Sequence, residues 1–137
     1  MDGIGIEFDG SELIKGLDTL SDAVLRFIKE GLFVSGEELR ADSIMIVPFN
    51  KGFNGGLAGS ASTQVPVTNL DGEPEVSVGY NKVYAAKMHE DMTLHIKQTN
   101  TVAGQVRRQK YLETPAKENA EKYGRIISDH VTEAINA

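Results

Sequence analysis

The chain holds three histidines and no cysteine, and that pair of counts narrows the chemistry at once. The segment His89-Glu90-Asp91-Met92-Thr93-Leu94-His95 is the first place where side chains could act together. A zinc-protease helix carries His-Glu-x-x-His, because two histidines four apart share one helix face. Here the fourth position after His89 is Thr93, and His95 lies six residues on, far round a helix from the first ring. His130, the remaining histidine, belongs to another segment. Catalytic zinc takes three protein ligands, so this spacing predicts no metal site and no cofactor.

Phosphate chemistry fares no better. The glycines Gly52, Gly55, Gly56 and Gly59 fit neither the P-loop pattern Gly-x-x-x-x-Gly-Lys-Ser/Thr nor Gly-x-Gly-x-x-Gly. They read as a mobile connection between elements. No Gly-x-Ser-x-Gly elbow is present, and the lack of cysteine removes thiolate nucleophiles, disulfides and cysteine metal sites together. The carboxylate pairs Glu37-Glu38 and Glu90-Asp91 are explained by acidic helix ends. No enzymatic constellation emerges from the residues. The run Gln105-Val106-Arg107-Arg108-Gln109-Lys110 is the one basic cluster, suited to a partner subunit's acids or to solvent before DNA. Three charges give little phosphate affinity at physiological salt.

The bulk numbers point the same way. A length of 137 residues suits one domain spanning 1–137 with one core. The net charge of −6 is uneven: residues 1–50 carry ten acids against four bases, and the remainder balances. An acidic chain does not bind phosphate backbones by bulk attraction. Absent cysteine leans towards a reducing cytoplasm. No signal peptide and no run approaching the roughly 20 apolar residues of a membrane helix is visible, which predicts a soluble protein without a membrane partner.

The elements that must position these residues follow from periodicity. Ile4, Ile6 and Phe8 alternate as in a short strand. Asp9 or Ser11 can cap a helix running to about Val47, with Leu13, Leu17, Leu20, Val24, Phe27 and Ile28 as its apolar stripe. A capping box at Ser35-Gly36-Glu37-Glu38 offers a break in that helix, and Pro48 ends it. Ala61–Asn69 and Val76–Tyr80 flank an Asp71-Gly72 turn and predict a β-hairpin, with Pro66 and Pro74 marking an exposed edge. Tyr84–Glu90 reads as a short helix and Met92–Gly104 as an exposed polar loop. Thr114-Pro115 opens a last helix, with Thr114 as its cap and Ala116, Ala120, Tyr123, Ile127, Val131 and Ala134 as its buried face. The predicted class is α+β: a long N-terminal helix, unbroken or broken near Ser35, a hairpin or small antiparallel sheet, a short helix and a long C-terminal helix.

Two motifs carry a resemblance. Val83-Tyr84-Ala85-Ala86-Lys87-Met88-His89-Glu90, and Gln109-Lys110-Tyr111-Leu112-Glu113-Thr114-Pro115 with the helix after it, resemble the Tyr-Ala-x-x-x-His-Glu and Lys-Tyr-Leu-Glu-x-Pro segments of tailed-bacteriophage minor capsid, neck and tail-completion proteins. The order of elements, including the Val47-Pro48 boundary, is similar over most of the chain. The family's Thr-Gly-x-Leu-Arg-x-Ser turn keeps its glycine, leucine and serine in Asn54–Ser60 but lacks the arginine.

The resemblance implies a structural virion protein: a ring subunit of the head–tail connection, as neck, tail-completion or tail-terminator protein. It would join the portal side of the capsid to the tail around the DNA channel, after assembly in the host cytoplasm. The implied partners are about six or twelve copies of itself and the adjacent head-completion and tail proteins, with DNA only passing through. Hairpin edges would extend a sheet between subunits. The acidic N-terminal half would give a channel wall that DNA does not stick to. Met92, Thr93, Leu94 and His95 of the loop, with Arg107 and Arg108, are the expected partner contacts. Tyr84, His89, Glu90, Lys110, Tyr111, Leu112, Glu113 and Pro115 are the expected structural residues, and Lys110 is expected to pair with Glu90. The alternative is a non-viral adaptor module without catalysis.

Overall fold

The computed structural model describes residues 4–9, 22–48, 56–98, 101 and 104–136. The elements in chain order are β1 (Ile4–Asp9), α1 (Asp22–Ile44), the single turn α2 (Gly56–Gly59), β2 (Ala61–Thr63), β3 (Val67–Thr68), β4 (Pro74–Tyr80), α3 (Ala85–Glu90), α4 (Glu113–Glu118) and α5 (Ala120–Asn136). This is the α+β arrangement that the periodicities predict. Asp9, one of the two expected caps, is instead the last residue of β1, and Ser11, Leu13, Leu17 and Leu20 lie within residues 10–21, outside the described residues.

β4 is the central strand. Its left neighbour is β1, antiparallel, with Ile4 opposite Tyr80 and Asp9 opposite Glu75. On the other side run β2 and β3, two pieces of one edge strand. Ala61 lies opposite Tyr80 and Thr63 opposite Val78, but Val67 lies opposite Glu75. The register therefore slips by one residue, and Val65 and Pro66 together face Val76. That is a β-bulge, placed where Pro66 has no N–H to give a ladder. Pro74 does not mark an edge, as expected from sequence. It opens the central strand and is buried, a position where its missing N–H costs little.

Alternation on β4 buries Val76, Val78 and Tyr80 against α1. The helix runs for 23 residues without a break. The Ser35-Gly36 pair is not a cap, because both residues are buried contact points. Ser35 Oγ donates to the Tyr123 carbonyl at 2.9 Å. A Cβ on Gly36 would stand 2.8 Å from Thr63 Cγ2, and one on Gly31 would stand 2.9 Å from Ile127 Cα. Small residues here let α5 and the sheet approach the backbone of α1. The helix stops three residues before Val47, where the amides of Ile46 and Val47 both turn back onto the Ser43 carbonyl, at 3.1 and 2.9 Å.

Two apolar clusters result. One gathers Leu39, Val47, Leu57, Val78, Tyr80, Tyr111, Leu112 and Tyr123, and the other Ile28, Leu32, Val76 and Ile127. Leu57 in the first cluster corrects the picture of a loose glycine connection for its described part. Gly56 and Leu57 are buried, and Ser60 Oγ donates to the Leu57 carbonyl at 2.8 Å while accepting the Asn81 amide at 3.1 Å. The final helix is two helices. Asn119 (φ −112°, ψ 20°) separates α4 from α5, and it leaves Ala120 exposed rather than buried. No helix among the described residues is long and apolar enough to cross a membrane.

Candidate functional site

The two motifs that stand apart in sequence meet in space. Lys110 takes a left-handed backbone conformation (φ 55°), which turns the chain sharply before Tyr111. The Lys110 amide then donates to the His89 carbonyl at 2.8 Å. Tyr111 enters the core, and its hydroxyl donates to the Ala85 carbonyl at 2.6 Å. Its ring stands edge-on between Tyr80 and His89, with centroids 4.9 Å from each. Leu112 and Pro115 are buried beside it, and Tyr84 packs half-buried at the start of α3.

His89 is the pivot, only 3% exposed. Its Nε2 accepts the Glu113 amide at 3.3 Å, and its Nδ1 lies 2.7 Å from Glu90 Oε1. A ring nitrogen accepts only when it carries no proton, so the proton sits on Nδ1 and is donated to Glu90. His89 thus caps the first turn of α4 from outside that helix, filling the place expected for Thr114. The helix begins at Glu113, and Leu112 at its N-cap offers no side-chain bond. Burial lowers the His89 pKa below its usual value, overriding the opposite pull of Glu90.

Charge closes the outside of the clasp. Lys110 Nζ bonds Glu90 Oε2, the expected pair, and lies 3.5 Å from Glu113 Oε2. Glu113 also holds Lys117 at 2.9 Å. The Lys110 ammonium and the His89 bond hold Glu90 below the usual carboxylate range. Lys117 and Lys110 do the same for Glu113.

The loop between the motifs is pinned at its base. Gln98 Oε1 accepts the Arg107 amide and Gln98 Nε2 donates to the Arg107 carbonyl, both at 2.8 Å. Gln109 Nε2 donates to the carbonyls of Asp91 and Leu94, at 3.1 and 2.8 Å. Asp91 Oδ1 accepts the Thr93 amide and hydroxyl, which shapes the turn at the loop's start and lowers the Asp91 pKa. Met92, Thr93 and His95 are exposed and Leu94 is half-buried.

The two arginines part company. Arg108 is exposed and lies 3.4 Å from Glu118. Arg107 is 5% exposed, and its Nη1 donates to the Val47 carbonyl at 2.6 Å. The expectation that Arg107 meets a partner is therefore corrected: its guanidinium is consumed inside the chain, where it satisfies a carbonyl just past the end of α1. Sequence reasoning also missed Gln98 and Gln109, for which no pattern exists. It missed Gly31, Ser35 and Ser43 as well, small buried residues on one four-residue row of α1 with Leu39 between them, a readable sign of close helix packing.

Chemically, both nitrogens of His89 and both oxygens of Glu90 are engaged: Nδ1 and Oε1 hold each other, Nε2 holds the Glu113 amide and Oε2 holds Lys110. Among the described residues no group of three or more histidine or acidic side chains could hold a metal ion. Comparison with family models, curated proteins and solved structures finds no match.

Proposed function

We propose that this chain is a non-enzymatic structural subunit that forms a ring in the head–tail connection of a tailed bacteriophage, as a neck, tail-completion or tail-terminator protein. The observation that carries the reading is the clasp. The residues on which the family resemblance rests, His89, Glu90, Lys110, Tyr111 and Glu113, direct their polar atoms to fixing the loop and the start of α4. A motif spent this way maintains a shape, which is the work of an assembly subunit. The loop held by the clasp presents Met92 and Val106, 66% and 59% exposed, to neighbouring proteins of the connection. DNA passes through the ring without sequence recognition.

Mass measurement in solution, together with negative-stain imaging, tests this. Closed rings of about six or twelve copies are expected, alone or on portal-bearing particles. A chain that stays monomeric at every concentration and never joins particles sinks the proposal.

A further inference from the structure

We infer that His89 is an acid-operated latch: on taking up a second proton its ring lets go of α4, and the segment from Lys110 to Asn119 opens away from α3 while α1, β4 and α5 stay packed. The inference stands on the clasp geometry alone, whether or not the chain forms rings.

The segment is bounded by two bends. Lys110 has its left-handed φ of 55°, and Asn119 separates α4 from α5. Between them α4 is six residues long and buries one residue of its own, Pro115. A helix that short is not stable by itself. Tyr111 and Leu112, ahead of it in the core, anchor it. Three hydrogen bonds and the Lys110–Glu90 pair tie it to α3. The His89 carbonyl accepts the Lys110 amide at 2.8 Å, His89 Nε2 accepts the Glu113 amide at 3.3 Å, and the Ala85 carbonyl accepts the Tyr111 hydroxyl at 2.6 Å.

A second proton turns one of these ties into a repulsion. An imidazolium carries a donor on both nitrogens. Nδ1 keeps Glu90 Oε1, at 2.7 Å, but a proton on Nε2 faces the Glu113 N–H, donor against donor. The charges around the ring are Glu90 from α3, Lys110 from the turn and Glu113 from α4, while the rings stacked next to it, Tyr111 and then Tyr80, are neutral. Burial is the largest influence and opposes the charged ring, as Lys110 does; the two carboxylates favour it but do not prevail. Opening hands the Nε2 proton to water and removes both the burial and the clash.

The rest of the fold has no such trigger. α1, β4 and α5 meet through Ile28, Leu32, Val76 and Ile127, all aliphatic, and Ser35 Oγ donates to the Tyr123 carbonyl. His95 is exposed, and His130 Nδ1 bonds the Ile126 carbonyl within its own helix, so His89 is the histidine placed between elements. Opening uncovers Tyr111 and Leu112, both fully buried when the latch is closed, and parts Arg108 from Glu118.

Hydrogen exchange of the full chain at pH 7 and pH 5, corrected for the intrinsic rate, tests the latch. The Glu113 amide should lose protection by up to about 25-fold, the linkage ceiling for a histidine that is neutral when closed and has its ordinary pKa of 6.5 when open. That loss should not respond to low concentrations of urea, because a local opening exposes little surface; the better-protected Leu32 and Val78 amides should respond steeply. NMR titration of the His89 ring gives the midpoint, which Glu90→Gln should move down in pH and Lys110→Gln should move up. His89→Gln, whose side-chain carbonyl can still accept the Glu113 amide, should abolish the step; if that variant does not fold, the two charge variants decide. Unchanged Glu113 protection between the two pH values, midpoints that ignore both charge changes, or Glu113 exchange that follows urea together with Val78 overturns the latch. Mass measurement reads ring formation separately, so either idea can fail with the other intact.

Discussion

The packing of α1 on α5 and the clasp around His89 hold the protein together by opposite means. Between the helices, contact is made by removing side chains. Gly31 lets the Ile127 backbone come within what a Cβ would need, as Gly36 does for the Thr63 methyl on the sheet side of α1, and Ile28, Leu32 and Ile127 fill the remainder. The clasp instead adds polar groups, each with a partner: the His89 ring to Glu90 and Glu113, Tyr111 to Ala85, Arg107 to Val47. Apolar contact has no titrating part, while a hydrogen-bonded ring does. The first region should therefore answer to volume and the second to protonation and to lost partners.

The largest effect should come from volume. Gly31→Val places its branch against the Ile127 backbone, which cannot step aside, and should cost about 3 kcal/mol. Gly36→Ala meets mainly the Thr63 methyl, a side chain that can shift, and should cost about 1 kcal/mol. Urea midpoints of the two variants check that order, and equal losses would break the distinction between backbone and side-chain contact.

Next comes the clasp's buried cation. Arg107→Ala strands the Val47 carbonyl and should cost about 2 kcal/mol, whereas Arg108→Ala, on an exposed pair, should cost less than about 1 kcal/mol. The same denaturation series reads both.

Protonation separates the regions most cleanly. The folded-state pKa of His89 lies below the ordinary 6.5, so folding favours the neutral ring. Its contribution is complete above about pH 6.5 and is lost as pH falls through the lowered folded value. Glu90 and Glu113, also lowered, add a further loss below about pH 4.5. Stability should thus decline from pH 6.5 downwards in the wild type, and His89→Phe should flatten the upper part of that decline. Faster exchange of the Glu113 amide at pH 5 than at pH 7, beyond the intrinsic change, would place the loss at the clasp. An unchanged pH profile in His89→Phe would remove the histidine from the account.

The smallest effects are gains. Among the described residues nothing stands within 4 Å of a Cβ built on Gly124 inside α5, so Gly124→Ala should stabilise by about 0.5–1 kcal/mol. Thr63 Oγ1 is buried with no hydrogen-bond partner among the described residues, and Thr63→Val should be neutral or stabilising by up to about 1 kcal/mol. Melting temperature reports both.

Much of the frame was legible from spacing. The apolar positions place the C-terminal end of α1, the end of α5 and the central strand within a few residues, while the helix start expected near Ser11 lies outside the described residues. The Asp71-Gly72 turn was readable because only glycine takes φ 80° without strain. Lys110 opposite Glu90 was readable because the two motifs were taken together. Other features were not. Thr114-Pro115 looks like a helix start, yet His89, more than twenty residues earlier, supplies the cap. Ser35-Gly36 looks like a break, yet it is where two neighbours touch the helix.

By itself, then, the sequence determined the longer elements, their order and the turn between β3 and β4, because these follow from local backbone preference and from the period of apolar residues. Only the tertiary structure decided which polar residues are spent and which remain. Arg107 and Arg108 are adjacent and chemically alike, yet one is buried on the Val47 carbonyl and the other stands at the rim of a cleft. That choice depends on where the end of α1 lies, a contact across sixty residues, and no local pattern encodes it.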